Sequence, residues 1–171
     1  MSDILTQPRC GVCELHAASA ERERYEISRN DLWVLRHHPD PAPLQGWLLL
    51  DSLRHLGGPI EFNHKESAAW GTAVQRASTL VQLLTGCQRV YAIAFGEGAK
   101  HLHLHLIPRF ATEPASEAWK VADLYRAVAA GQLSATTPEA VQALVRQGRV
   151  LWDGFSEKDE PLAFGNPTAN S

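Results

Sequence analysis

Residues 101–107 read His-Leu-His-Leu-His-Leu-Ile, followed by Pro108. Strict polar/apolar alternation fits a β-strand, in which successive side chains point to opposite faces of a sheet. Leu102, Leu104 and Leu106 then share one face, and His101, His103 and His105 share the other. The leucine face must be buried against a partner element. The histidine face must look toward solvent, a cleft or a ligand. An ordinary solvated face would need three titratable rings in line by chance, so a functional face is the better reading. At about 3.3 Å per residue the outer two histidines lie about 13 Å apart. A metal bond of about 2 Å cannot join them without strong bending, so a division of labour is expected. One end goes to a metal while the middle ring does chemistry.

The partner for the leucine face is predicted over residues 64–85. Trp70, Ala73, Val74, Ala77, Leu80, Val81 and Leu84 recur at helical spacing and form an apolar stripe. Asn63 and Glu66 suit a capping box, and Gly86 supplies the stop. Short strands are expected at 25–28, 32–37 and 46–50, interrupted by the three prolines of 39–43. Strands 89–95 and 101–108, joined by Gly96 to Lys100, should pair antiparallel. Residues 1–20 read as irregular. Further helices are expected over 117–130, with Val121, Leu124, Tyr125 and Val128 on one face, and from 136–138 onward, where Glu139 would complete a capping box. From Gly154 the chain is polar and reads as a loose tail. Strands clustered early and helices segregated from them predict an α+β fold, an antiparallel β-sheet with one long packing helix and extra C-terminal helices.

The 171 residues suit one globular domain. A net charge of −3 and a pI near 6.2 argue against binding a nucleic-acid backbone. No apolar run approaches the ~20 residues of a membrane span. Met1 to Arg9 lack the basic and apolar segments of a secretory signal, so a cytoplasmic location is expected. Three cysteines without a signal make a poor disulfide framework. Cys87 reads as a small buried apolar residue. Cys10-Gly-Val-Cys13 is a CxxC that offers two thiolates, and zinc takes four ligands. His101 suits the third place. His55 is the natural fourth, with His16 and His64 as alternatives.

These residues together resemble the histidine triad (HIT) family of nucleotide hydrolases and transferases. The resemblance rests on His101-Leu-His103-Leu-His105-Leu-Ile with Pro108-Arg109, on the approach Asp40-Pro41-Ala42-Pro43-Leu44-Gln45-Gly46-Trp47-Leu48, on Arg54-His55, and on Cys10-Gly-Val-Cys13. It spans about residues 10–110. It implies a catalytic domain over 1–110 that includes an N-terminal zinc-binding segment; the residues beyond it read as a helical extension over 111–153 packed on the same domain and a tail over 154–171. It also implies that His103 attacks the α-phosphorus of a nucleotide and forms a nucleotidyl-histidine, with His105 assisting at the phosphate. Structural zinc on Cys10, Cys13, His55 and His101 is implied in the same way, as are a purine nucleotide substrate and a homodimer.

A neutral imidazole is a competent nucleophile near pH 7, and neighbouring donors would stabilise the phosphoryl oxygens. Lys100 and the amides near Gly96 and Gly98 are candidates for that. Asp40 is a candidate for the ribose hydroxyls, and Trp33 or Ile27 for the base. Two departures stand out. Many members carry a fourth histidine where this chain has Trp47, which leaves His37 or His38 to replace it. The loop Gly96 to Lys100 also lacks the Gln and Ser or Thr common there. A nucleotide-binding module with little or no turnover is the main alternative. A zinc hydrolase with an open-site metal is another.

Overall fold

The computed structural model describes residues 10–155. Five strands form one antiparallel sheet: β1 (Glu26–Arg29), β2 (Trp33–His37), β3 (Leu48–Ser52), β4 (Arg89–Ile93) and β5 (His103–Arg109). Their spatial order is β1-β2-β3-β5-β4. The expected α+β architecture is therefore the one observed. β4 and β5 pair antiparallel with Ala92 opposite Leu106, and β3 pairs with β5 with Leu50 opposite Leu104.

The long helix, α3 (His64–Thr85), starts and stops where the sequence places it. The Asn63 side chain accepts from the Glu66 amide at 3.0 Å and the Glu66 carboxylate accepts from the Asn63 amide at 2.8 Å. This reciprocal pair satisfies two amides that the first turn cannot bond internally. Gly86 closes the helix in the left-handed region at φ 64°. Ala77, Leu80 and Val81 of α3 share one buried cluster with Leu102, Leu104 and Leu106, and with Leu35, Leu48 and Leu50. The leucine face of residues 101–107 is thus the core face of the sheet.

Several local expectations need correction. The N-terminal region is not irregular: Gly11–Ala17 and Ser19–Tyr25 form two short helices, α1 and α2, so Tyr25 ends a helix rather than opening a strand. Helices of this length are marginal alone and carry no apolar period long enough to read. Their tertiary contacts hold them: Arg149 donates to the Arg22 and Glu23 carbonyls at the end of α2, and α1 is tied down at the site described below. His101 and Leu102 precede β5 rather than belonging to it. The amide of Leu102 donates to the Leu56 carbonyl and its carbonyl accepts from the Ser52 amide, a pairing outside the regular ladder.

Two further helices follow, α4 (Val121–Ala129) and α5 (Pro138–Asp153). The cap of α5 is Thr137, whose hydroxyl accepts from the Ala140 amide. Glu139 therefore stands one position too early to close a capping box. Val141, Leu144 and Val145 of α5 join the main core. Val121 of α4 packs with Trp47 and Ile107 on the opposite face of the sheet. The expected tail lies outside the described residues except for Gly154 and Phe155. No helix among the described residues is long and apolar enough to cross a membrane.

Candidate metal and histidine site

Two clusters meet on the sheet face that turns away from α3. The first gathers one donor atom each from Cys10, Cys13, His55 and His101, all within 4.8 Å of one another. His101 Nδ1 lies 3.5 Å from Cys10 Sγ and 3.4 Å from Cys13 Sγ, and His55 Nδ1 lies 3.3 Å from Cys13 Sγ. Tetrahedral zinc, with bonds of about 2.3 Å to sulfur and about 2.0–2.1 Å to nitrogen, sets sulfur and nitrogen about 3.5 Å apart. The buried His101 donates from Nε2 to the Ser52 carbonyl at 2.7 Å. This fixes the tautomer that leaves Nδ1 free to ligate. Burial, and then the neighbouring Cys10, push the Cys13 thiol up. Ionising Cys13 beside Cys10 therefore calls for a cation, so the donor set fits a divalent metal. His16 and His64 stay out of the cluster.

His16 has another partner. It reaches from α1 to donate from Nε2 to Asp51 Oδ2 at 2.8 Å. Asp51 also accepts from Arg36 Nε at 2.6 Å and is fully buried on β3 opposite His103. Burial alone would raise the Asp51 carboxyl, but Arg36 and His16 hold it below the usual carboxylate range. The Nη1 atom of Arg36 is buried and has no partner among the described residues.

The second cluster is centred on His103 and His105, whose ring centroids lie 5.1 Å apart. His103, partly exposed, donates from Nδ1 to the His101 carbonyl at 2.5 Å, which leaves its Nε2 lone pair free. His105 is held in the opposite sense. The indole Nε1 of Trp47 donates to His105 Nδ1 at 2.9 Å, so the neutral ring carries its proton on Nε2. Burial, then His103 and His38, push His105 down to about 3. With both rings neutral the pair presents one lone pair and one N–H donor side by side. Trp47 is fully buried, and the turn that delivers it depends on Gly46 at φ 82°.

Both proposed substitutes for a histidine at position 47 are placed. His38 faces the cluster: its ring lies 5.7 Å from Trp47, 6.3 Å from His105 and 5.5 Å from Tyr125 of α4. His37 does not, since its Nδ1 donates to the His38 carbonyl and its Nε2 accepts from the Gly46 amide. Burial pushes each of these two down to about 4.

The structure does not bring the other expected residues to the histidines. Trp33 sits in the core against Phe62 and Trp70, and Ile27 is in the same core. Asp40 accepts from Tyr25 OH and from Arg24, beyond the end of β2 that lies away from His103. Lys100 is exposed at a cleft of about 280 Å³ that it shares with His55, Glu61 and Gly96. The sequence reading missed Arg36 and Phe95, whose ring stands 4.9 Å from His105. It placed Tyr125 on a packing face. The alternation through residues 34–38, which sets Arg36 on the face of His38, carried a signal for Arg36.

No protein-family model matches the sequence, and no curated protein matches it either. Solved structures do. A hypothetical histidine triad nucleotide-binding protein from Sulfolobus tokodaii superposes with a TM-score of 0.61 at 16% identity, covering 85% of this chain and 93% of that one. A histidine triad protein from Bradyrhizobium japonicum gives 0.57 at 22% identity, covering 78% and 94%. A zinc-bound histidine triad family protein from Mycobacterium smegmatis gives 0.55 at 13% identity, covering 75% and 86%. These likenesses establish the fold.

Proposed function

We propose that this chain, which has the histidine triad fold, is a nucleotide hydrolase or nucleotidyl transferase acting at the α-phosphate through a covalent intermediate on His103. The observation that carries this is the tautomer pair: the free Nε2 of His103 beside the N–H of His105. The His103 lone pair forms the N–P bond as the P–O bond to the leaving group breaks and its electrons depart with that oxygen. Attack by water, or by another acceptor hydroxyl, then forms a new P–O bond as the N–P bond breaks; the attacking group loses its proton to solvent, the nucleotide is released and the lone pair returns to His103. The Nε2–H of His105 donates to a phosphoryl oxygen as charge builds there. The substrate is an adenine or other purine nucleotide, and the protein works as a homodimer.

Cys10, Cys13, His55 and His101 would hold zinc as a closed Cys₂His₂ shell. Bound there, the ion supplies a cross-link between α1 and the sheet.

The test incubates wild type and His103→Ala with dinucleoside polyphosphates and nucleoside phosphoramidates, with quenched samples weighed by intact-protein mass spectrometry. Product together with a transient nucleotidyl mass on wild type, both absent from the variant, is the expected result. Nucleotide binding with neither product nor adduct overturns the enzyme reading in favour of a binding module.

A further inference from the structure

We infer that Trp47 makes the site selective for leaving groups that depart as anions, such as phosphate and polyphosphate, over amines that must be protonated to leave. The inference rests on the reading of His103 as the attacking group.

An indole is a donor only and can neither accept nor hand on a proton. Trp47, fully buried, spends that donor on His105 Nδ1 at 2.9 Å. Protonating His105 would require Nδ1 to carry a proton that faces the indole N–H. The bond and the cationic state therefore exclude one another in this geometry.

Among the described residues, the rings packed against His105 offer no other acid. They are His38, Trp47, Phe95 and His103. His38 donates its Nδ1–H to the Pro39 carbonyl at 2.7 Å and is itself largely buried. His103 spends its Nδ1–H on the His101 carbonyl and needs its Nε2 lone pair for the attack. The nearby charge on this face is Arg36, paired with Asp51 and disfavouring a second cation at His38 and His105. Burial acts in the same direction at both rings.

The first step makes different demands of the two kinds of leaving group. When the P–O bond of a phosphoanhydride breaks, its electrons leave on a phosphate oxygen that is stable as an anion near neutral pH. No proton is required. When a P–N bond to an aliphatic amine breaks, the nitrogen must take a proton before or during departure. The neutral N–H of His105 is far too weak an acid to give one. A positioned general acid is worth about 10²–10⁴-fold, and that factor is missing here for amine leaving groups.

The decisive experiment uses wild-type holoprotein and adenosine 5′-aryl phosphates whose phenols span a range of acidity, beside diadenosine triphosphate and an adenosine 5′-phosphoramidate of an aliphatic amine. Adduct formation on the 4-nitrophenyl ester, seen by intact mass, confirms attack by the protein; its absence sinks the nucleophile reading and not the selectivity alone. Given the adduct, kcat/KM should fall steeply as the phenol becomes less acidic, and the amidate should lag the anhydride by about 10²-fold or more. A flat dependence with comparable amidate turnover overturns the inference. A Trp47→His protein with unchanged circular dichroism and zinc content should flatten the dependence and raise amidate turnover. An unchanged slope in that folded variant removes Trp47 from the explanation, and should the variant fail to fold, the wild-type series decides.

Discussion

At the residue scale the chain does something costly: it buries neutral histidines. His37, His38 and His105 are all enclosed, and burial pushes them to about 4, 4 and 3. Their unfolded values lie near 6.5, so between pH 6.5 and about 4 the unfolded chain binds more protons than the folded one. The stability they contribute is complete above pH 6.5 and is lost as the pH falls through that window. Each group adds up to about 1.4 kcal/mol per pH unit to the slope. His37 offers a clean check because it lies away from the metal cluster and both its nitrogens are bonded within the fold. In His37→Gln, denaturant midpoints taken between pH 7 and 4.5 should fall less steeply than in wild type. An equal slope would show that His37 titrates freely in the folded protein.

At the scale of elements, the turn between β2 and β3 is the piece on which the histidine cluster depends. Gly46 stands at φ 82°, and a Cβ there would meet Thr85 Cγ2 at 2.2 Å. Thr85 cannot simply rotate away, since its hydroxyl donates to the Val81 carbonyl and accepts from the Cys87 amide. Gly46→Ala therefore combines a left-handed cost of about 1–2 kcal/mol with a clash, and the displacement falls on the adjoining Trp47. A loss of at least about 2 kcal/mol by chemical denaturation is expected. The shift should also appear in the ring resonances of His105. Wild-type stability and spectra in the variant would show that the turn yields elsewhere. α3 was readable in the sequence and α1 was not. The box of Asn63 and Glu66, the stripe through Ala77, Leu80 and Val81, and Gly86 are local signals that agree with one another. Gly11–Ala17 has one buried residue, Val12, and is held by side chains that reach a distant strand and loop.

For the whole molecule, α1 joins the two halves of the site. Its Cys13 belongs to the metal cluster, while one turn later its His16 closes on the Asp51–Arg36 pair beside His103. Removing the proposed zinc should thus do more than empty its site. Chelation is expected to lower Tm and to raise amide exchange across residues 11–17, with slower exchange persisting in α3 and β5. Unchanged Tm and exchange after verified metal loss would mean that the fold does not use the ion as a cross-link.

What the sequence determined by itself is what depends on near neighbours in the chain: the alternation that splits residues 101–107 into a core face and a histidine face, the bounds of α3, and the CxxC as half of a ligand set. The pairing of Cys10 and Cys13 with His55 and His101 was legible once a family resemblance supplied the register. Only the tertiary structure decided that Trp33 belongs to the core, that Asp40 is held by Tyr25 and Arg24, and that His38 rather than His37 faces the cluster. It also decided the proton positions on His103 and His105, because a tautomer is set by whichever group approaches each ring nitrogen. For His105 that group is Trp47, 58 residues away in the chain.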